Sequence, residues 1–402
     1  MKRQDLRALF QGLLPLFILA HFGHHVVGAM LRPLMPMIRT DLGLSYTQSG
    51  VVMSAFAITG GISQLPAGWL ADRFGPRVMI LISVTGVAIV GLFIGLSHSY
   101  AALIALLVLA AILGGGYHPA AAAAISTSVP AERRGRALGM HLVGGTSSFW
   151  VVPLLAAPIA LAWGWRGSYI TLTAPVIVLG IVLYILIGRR TRRLQAAEPP
   201  TPAGEVPAPA ARSRWRQLVP FLVMTVATGT VVQSVGAYFS LYAVDHFGVA
   251  EATAAALVAI TPAVGLIAGP LGGYLSDRLG GVPVLTAVSF LAIPLIYALG
   301  VVPNVLSLAA VMVAMGIVSS TRMPTSEAYI VGYAPQHRRS TILGFYFFAG
   351  AEMAGLLTPV VGNLIDRFGF YSTFAIMSAI LAPVIVACSV FLWRSRGQRD
   401  TA

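Results

Sequence analysis

The chain has 402 residues, of which 57% are hydrophobic and only 10% are charged. Soluble domains carry roughly 25% charged residues, so this composition excludes an ordinary soluble protein and predicts an integral membrane protein. The single cysteine, Cys388, excludes an intrachain disulfide and a cysteine-based metal cage. The formal net charge of +13 is compatible with a nucleic-acid-binding protein, but most basic residues lie in short segments between apolar runs. We therefore assign the charge to membrane topology and expect no nucleic-acid partner.

Polar breaks divide the chain into apolar stretches that are each long enough to cross a bilayer as a helix, which takes about 20 residues. We predict an all-α integral membrane protein with twelve transmembrane helices in two pseudo-symmetric six-helix bundles. The bundles are predicted at 1–188 and 217–402, joined by a flexible linker over 189–216 that is rich in Pro and Ala. The twelve spans are expected near 9–33, 47–71, 78–97, 101–128, 137–161, 168–188, 217–243, 252–275, 283–302, 304–333, 341–362 and 370–393.

The distribution of basic residues predicts the orientation of these spans. If the N-terminus is cytoplasmic, 21 of the 26 Lys and Arg fall in cytoplasmic segments, and only Arg39, Arg166 and Arg367 lie on the other side. This bias follows the positive-inside rule, so both termini and the linker are expected in the cytoplasm. Because Lys occurs once against 25 Arg, the composition also suggests a GC-rich bacterium and hence a bacterial inner membrane.

The sequence repeats itself at a fixed spacing. The segment from Gly68 to Gly75 returns at Gly273 to Gly280, so that Asp72 and Asp277 differ by 277 − 72 = 205 positions. Prolines, arginines and glycines farther along the chain recur at the same offset without a gap. Two similar halves, each with about six apolar spans, are typical of secondary transporters whose halves rock about a central site.

Residues 68–77, with the sequence Gly-Trp-Leu-Ala-Asp-Arg-Phe-Gly-Pro-Arg, resemble the signature loop of the major facilitator superfamily between helices 2 and 3. The resemblance covers essentially the whole chain and implies transport by alternating access, with this loop latching the cytoplasmic side. The second copy has Val282 where the first has Arg77, so its gate network is expected to be weaker. The gating residues that the resemblance implies are Gly68, Asp72, Arg73, Gly75, Arg77, Asp277 and Arg278.

Other segments are similar to the fosmidomycin-resistance branch of this superfamily. They include His21-Phe22-Gly23-His24 in span 1 and Tyr117-His118-Pro119 in span 4. The branch implies efflux of small anionic or amphiphilic compounds in exchange for protons. The chain departs from the expected pattern at Ala120, where a carboxylate would stand, and at Val152, which replaces the Gly of the antiporter motif in span 5.

Polar residues inside the spans are the candidates for chemistry. A charged side chain at the bilayer centre costs from about 3 to above 10 kcal/mol, so such residues usually face the protein interior and have partners. The resemblance implies that spans 1, 4, 7 and 10 line this interior. In span 1, His21 and His25 fall on one helical stripe, and His118 and Arg322 lie at similar depths. The predicted substrate-binding residues are His21, His25, His118, Tyr117, Gln233, Tyr238 and Arg322.

Proton coupling requires a buried group that gains and loses a proton during the cycle. Glu352 and Glu327 are the carboxylates that fall within predicted spans. Burial favours the protonated form of a carboxyl group and a nearby Arg favours the ionised form, so a movement that changes either effect moves a proton. We predict Glu352 as the coupling residue and Glu327 as the second choice, while a purely structural ion pair with Arg322 is the alternative.

These observations favour a proton-coupled secondary transporter that exports a small organic anion or amphiphilic drug-like compound by antiport. Import of an organic acid by proton symport is the first alternative. A transition-metal transporter is the second, since His21 and His25 stand one helical turn apart, although no Asp, Met or Cys groups clearly with them. A receptor or membrane enzyme is disfavoured, because the sequence has no extramembrane domain, phosphate-binding loop or catalytic triad. We expect no cofactor and no bound metal, the bilayer and protons as partners, and a monomer.

Overall fold

The structure is a computed structural model that describes residues 12–128, 134–197, 215–333 and 339–397, and all regular elements in these residues are helices. The predicted all-α class is therefore confirmed. The first half contains α1 (Leu14–Leu31), α2 (Met35–Leu42), α3 (Tyr46–Phe74), α4 (Pro76–Leu81), α5 (Val87–Gly95), α6 (Tyr100–Gly114), α7 (Tyr117–Ser128) and α8 (Arg134–Ala197). The second half contains α9 (Trp215–Gly236), α10 (Phe239–Phe247), α11 (Glu251–Leu257), α12 (Ile260–Leu279), α13 (Gly281–Leu299), α14 (Val305–Tyr333) and α15 (Arg339–Gly397).

In the first unit, α1 packs along α8, and α5 packs on both α6 and α8. A wide helical turn over Ile82–Gly86 joins α4 to α5. The apolar faces of these helices bury side chains such as Phe17 and Leu107, which have almost no exposed surface. Ser99 begins α6, since its hydroxyl oxygen accepts a hydrogen bond from the backbone N–H of Ala102 at 3.2 Å.

In the second unit, α9 packs along α15, α12 packs along α14, and α13 contacts both α14 and α15. The buried rings of Phe221 on α9 and Tyr329 on α14 stack with their centroids 3.8 Å apart. On α13, Ser289 accepts a hydrogen bond from Thr228 of α9 at 3.0 Å. These contacts fix the rotation of α9 and α14, the two helices that carry the polar residues described below.

Two helices are far too long for a single crossing of the membrane. Their apolar parts run over Met140–Arg192 and Phe345–Trp393, which are 53 and 49 residues long. At 1.5 Å per residue each would extend about 75 to 80 Å, whereas the hydrocarbon core is about 30 Å thick. Each is broken by a glycine with non-helical backbone angles, Gly164 in α8 and Gly369 in α15. Each therefore provides two crossings.

The internal repeat is visible in the backbone. Among the described residues, six glycines have positive φ, and they form three pairs that are each 205 positions apart. Only Gly adopts this conformation without steric cost, so the same turns end the same helices in both halves. The pairs are Gly43 and Gly248 (φ 63° and 64°), Gly75 and Gly280 (79° and 87°), and Gly164 and Gly369 (69° and 74°).

The described residues form two compact units, 12–42 with 55–197 and 43–54 with 215–397, and the chain passes from the first to the second inside the predicted linker. Helix α8 continues to Ala197, so the first nine residues of that linker are helical rather than flexible, because no Pro or Gly occurs between Arg189 and Ala197. The predicted bundle limits at 188 and 217 stay predictions.

Residues 43–54, which include the start of α3, belong to the second unit together with 206–402. The carboxylate of Asp366 accepts hydrogen bonds from the backbone N–H groups of Tyr46 at 3.0 Å and Thr47 at 2.8 Å. This carboxylate therefore caps the N-terminus of α3, where the helix dipole favours a negative charge. The hydroxyl of Tyr46 also donates to Asp245 at 2.6 Å.

Nine helices in the described part of the chain are long and apolar enough to cross a membrane. Large apolar side chains stand exposed on their outer faces, for example Phe93 on α5, Leu161 on α8 and Phe391 on α15. Exposed apolar bands on long helices are the surfaces that lipid covers. The chain is thus a multi-pass membrane protein, and the exact number of twelve spans stays a prediction.

Candidate functional site

The predicted histidines of the first unit come together. His21 and His25 of α1 approach each other with their Nε2 atoms 3.1 Å apart. The ring of His118 on α7 lies 5.2 Å from the His21 ring and 5.4 Å from the His25 ring, centroid to centroid. The ring of Tyr117 stacks on His21 at 5.3 Å, and its hydroxyl donates to the carbonyl oxygen of Phe17 at 3.0 Å. Four predicted residues therefore form one cluster.

Two further histidines, which the sequence analysis leaves outside the site, complete the cluster. His141 on α8 stacks on His21 with the ring centroids 4.1 Å apart, and its backbone carbonyl accepts a hydrogen bond from Nδ1 of His21 at 2.9 Å. His24 stacks on Tyr117 at 4.5 Å and reaches the carbonyl oxygen of Ser83 at 3.3 Å. We call His21, His24, His25, His118 and His141 the histidine cluster. It is drawn from three helices of one unit.

Arg322 of α14 is the centre of the polar group in the second unit. Its Nη1 atom donates to the carbonyl oxygen and the hydroxyl of Thr225, each at 3.1 Å, and to the hydroxyl of Tyr346 at 3.0 Å. The guanidinium lies against Gly229 of α9, where an added Cβ would stand 2.7 Å from Cζ of Arg322. The arginine is thus held by neutral oxygens, and no carboxylate among the described residues forms an ion pair with it.

An apolar cavity of about 380 Å³ lies in the second unit, and Arg322 itself does not line it. Its wall includes Tyr346, the residue that accepts from Arg322, and residues of α9 and α15. The side chain of Thr230 also belongs to the wall, but its hydroxyl is buried and has no hydrogen-bond partner in the described part of the chain. The surface of the cavity is therefore almost entirely apolar, a composition that suits the apolar part of a ligand.

The two carboxylates predicted for proton coupling differ in their surroundings. Glu352 on α15 is 8% exposed, and its Oε1 atom is buried with no hydrogen-bond partner among the described residues. It is adjacent in sequence to Met353, which lines the cavity. Glu327 on α14 is partly buried and lies within electrostatic reach of Arg322. A buried carboxyl oxygen without a partner is costly when ionised, so Glu352 stands out among the polar groups of this unit.

The structure does not bring the remaining two predicted substrate residues into these groups. Gln233 is exposed on α9. Tyr238 follows α9 and is fully buried, and its hydroxyl donates to the carbonyl oxygens of Thr358 at 2.8 Å and Tyr46 at 3.2 Å. Its contacts thus tie α3 and α15 together within the second unit.

The internal repeat relates the histidine cluster of the first unit to the polar group of the second. We call Arg322, Thr225 and Tyr346 the arginine group. Tyr117 and Arg322 are 205 positions apart, and so are His141 and Tyr346. Tyr117 stands on α7 and Arg322 on α14, while His141 and Tyr346 stand on the next helix of their halves, α8 and α15. The histidine cluster and the arginine group therefore occupy equivalent positions of the two halves, which is where the internal symmetry of transporters places binding residues.

The predicted gating residues lie at helix ends, and the described ones contact their own unit. Arg77 donates from Nε to the carbonyl oxygen of Tyr184 at 2.8 Å, and its guanidinium stacks on the ring of that tyrosine. Arg73 and Arg278 lie over the aromatic rings of Trp69 and Tyr274, one turn earlier in their helices.

The other gating residues are the glycines and the two aspartates of the signature loop. Gly75 has the positive φ of the loop turn, and Asp277 is exposed. The environment of Gly68 and the side chain of Asp72 lie outside the described part of the chain. The latch itself thus stays a prediction.

Comparison with known proteins agrees with this architecture. The family model of the Major Facilitator Superfamily matches residues 17–301 and 245–402. The chain therefore belongs to the major facilitator superfamily, and it is a transporter rather than an enzyme.

The chain is also similar in sequence to individual bacterial proteins. Multidrug resistance protein MdtG of Enterobacter lignolyticus is 28% identical over 366 residues, covering 88% of this chain and 85% of that protein. MdtG of Salmonella typhimurium is 26% identical over 385 residues, covering 93% of both.

Among solved structures, a bacterial homolog of the human lysosomal transporter Spinster, inward-facing and occupied, has a TM-score of 0.72 at 20% identity, covering 98% of this chain and 95% of that one. A POT family transporter in complex with a thioalcohol conjugated peptide has a TM-score of 0.79 at 14% identity, covering 94% and 95%. These structures support the fold.

Proposed function

We propose that this protein is a proton-coupled secondary transporter that exports a small organic anion or amphiphilic drug-like compound by alternating access. The observation that carries the proposal is the geometry of Arg322. All its described hydrogen bonds come from Nη1, which leaves the donors on Nε and Nη2 free of partners in the described residues. These two atoms form one edge of the guanidinium, and that edge matches two oxygens of a carboxylate or phosphate at once.

The apolar cavity beside Tyr346, a hydrogen-bond partner of Arg322, supports an amphiphilic substrate. An anionic group on the Nε and Nη2 edge would leave the apolar part of the same molecule near Tyr346 and the apolar wall. A volume of about 380 Å³ falls in the range of small-molecule sites. The relatives named multidrug resistance proteins agree with drug-like substrates and with export. In this proposal Tyr117 and the histidine cluster, with Gln233 and Tyr238, contribute to substrate binding at other stages of the cycle.

Glu352 is the proposed proton carrier, and Glu327 is the second choice. The unpartnered carboxyl oxygen of Glu352 favours a proton in the surroundings described above. A rearrangement that admits water or brings a cation closer would favour release of that proton. Coupling follows if the protonated and ionised forms prefer opposite orientations of the carrier.

The remaining parts of the proposal concern gating and placement. The signature loop, with Gly68, Asp72, Arg73, Gly75 and Arg77, would latch the cytoplasmic side, aided by Asp277 and Arg278. Both termini would lie in the cytoplasm of a bacterial inner membrane, and the working unit would be a monomer. Import by proton symport uses the same residues and differs in the direction of coupling.

Thermal stability of the purified protein tests the substrate class. A ligand at a hundred times its Kd stabilises the folded state by about 2.7 kcal/mol, enough to raise the melting temperature measurably. We expect amphiphilic organic anions to raise it, and lipophilic cations of the same size to have no effect. Arg322→Ala should abolish the anion effect while leaving the unliganded protein folded. Stabilisation by the cations alone would contradict the proposal.

A further inference from the structure

Three imidazole rings of the histidine cluster each bring one ring nitrogen close to the other two. His21 and His25 stand one turn apart on α1, and His118 comes from α7. One nitrogen from each ring lies within 4.8 Å of the other two. We propose that these three side chains bind a divalent transition-metal ion such as Zn²⁺. This site is separate from the arginine group of the second unit. The proposed function uses the same histidines in substrate binding, and a test of metal binding needs no organic substrate.

The spacing of the nitrogens is close to what such an ion needs. Zinc binds histidine nitrogen at about 2.0–2.1 Å in tetrahedral geometry, so two ligand nitrogens are about 3.3–3.4 Å apart. The Nε2 atoms of His21 and His25 are 3.1 Å apart and need to separate by only a few tenths of an ångström. The widest separation in the trio, 4.8 Å at most, closes by about 1.5 Å, which a rotation of the His118 side chain supplies.

His21 is already oriented as a ligand. Its Nδ1 faces the carbonyl oxygen of His141 at 2.9 Å, and a carbonyl can only accept, so Nδ1 carries the proton. The neutral ring then has its lone pair on Nε2, the atom that faces His25. A ligand histidine whose second nitrogen donates to a backbone carbonyl is the usual arrangement around protein-bound metals, because the hydrogen bond fixes the tautomer and the ring orientation.

Before it can bind a metal ion through Nε2, His25 must lose the proton on that atom. With the Nε2 lone pair of His21 as acceptor, Nε2 of His25 is the donor in their 3.1 Å contact. A metal ion takes the place of this shared hydrogen, and the proton moves to Nδ1 of the same ring, which stays neutral. The two nitrogens are then both acceptors facing the ion.

Gly145 and two aromatic rings pack closely around His21. Gly145 faces Nε2 of His21 so closely that an added Cβ would stand 2.4 Å from it. The rings of Tyr117 and His141 pack on the other faces of His21, and these contacts hold its ring in place. His25 and His118 are partly exposed rather than fully buried, so an ion can reach the open side of the trio.

The donor set indicates which ions fit. Among the described residues the group consists of three imidazoles, with no carboxylate or thiolate in it. Imidazole suits Zn²⁺, Cu²⁺ and Ni²⁺, whereas Mg²⁺ and Ca²⁺ prefer oxygen ligands. Three neutral ligands leave a fourth position for water. We therefore expect binding of late first-row divalent ions and no binding of Mg²⁺.

The experiment uses the full chain, purified in detergent with its affinity tag removed. Titration with Zn²⁺ and Co²⁺ by calorimetry should give one high-affinity ion per chain, and X-ray absorption of the zinc-loaded protein should give three imidazole nitrogens at about 2.0 Å. A wild-type protein that binds no ion at millimolar concentration would overturn the proposal. So would a bound ion with fewer than three nitrogen ligands.

Variants locate the site. His25→Gln and His118→Gln should each raise the Kd for Zn²⁺ at least tenfold. His24→Gln is the matched control, because His24 lies in the same cluster and packs on Tyr117 but is not one of the three converging ligands. His246→Gln controls for surface binding elsewhere. Equal loss of zinc in His24→Gln and His25→Gln would show that the trio is not the site, and folding of each variant is checked by its unliganded melting temperature.

Discussion

Replacing Arg322 by lysine removes the planar fork while keeping the positive charge. In the structure Nη1 is anchored by Thr225 and Tyr346, so the Nε and Nη2 edge is held in a fixed direction. A lysine offers a single flexible point of charge and can hold one oxygen where the fork holds two. A hydrogen bond to a charged group contributes about 1.5–3 kcal/mol, and 1.4 kcal/mol corresponds to a tenfold change in Kd. We therefore expect Arg322→Lys to weaken anion binding roughly ten- to hundredfold.

The assay is equilibrium binding of the organic anion that stabilises the protein most in the thermal screen. Arg367→Lys is the matched control, because Arg367 is exposed and outside the polar groups described above. Gly229→Ala is a second perturbation, since the added methyl group would stand 2.7 Å from Cζ of Arg322 and displace the guanidinium without changing any charge. Arg322→Lys and Gly229→Ala proteins that both bind the anion as tightly as the parent would refute the assignment of this arginine.

Three further predictions concern coupling, gating and topology. Glu352→Gln keeps the size of the side chain but cannot ionise, so it should abolish transport driven by a pH gradient and preserve substrate exchange, measured as tracer flux in proteoliposomes; if coupling survives, Glu327 inherits the role. Asp72→Asn should weaken the cytoplasmic latch and shift the carrier toward inward-facing forms, and unchanged spin-label distances across that gate would contradict the latch. Ser213→Cys in a background without Cys388 should resist labelling from the outer side of intact cells, and rapid labelling there would reverse the topology.

The repeat explains why the sequence predicts the fold so well. The offset of 205 that relates Asp72 to Asp277 also relates all three pairs of positive-φ glycines. Because Gly is the residue that allows these turns, its positions in the sequence predict where the helices end. The linker was harder, because Arg189 to Ala197 contains no helix breaker and the structure continues α8 through it. Composition distinguishes a polar segment from a membrane span, but it does not show whether that segment is helical.

The sequence predicted part of the residues that the structure brings together, but not their contacts. Helical periodicity places His21 and His25 on one face of α1, and the structure brings them within hydrogen-bond distance. Helical periodicity does not show which residues face each other across a helix interface. His141 was therefore not predicted as a site residue, and the sequence could not decide whether Arg322 pairs with a carboxylate. The internal repeat could have indicated His141, because His141 and Tyr346 are 205 positions apart and each contacts the polar residues of its own half.

The most direct test of proton-coupled export measures uptake of an organic anion into proteoliposomes under two opposite pH gradients. In antiport, protons leaving an acidic interior drive the substrate inward, so we expect accumulation only when the interior is the more acidic side. Weak acids are trapped passively in alkaline compartments, so accumulation in an acidic interior cannot arise from leakage. Protein-free liposomes and a proton ionophore provide the controls. Accumulation driven instead by an acidic exterior, or uptake that does not respond to either gradient, would contradict the account.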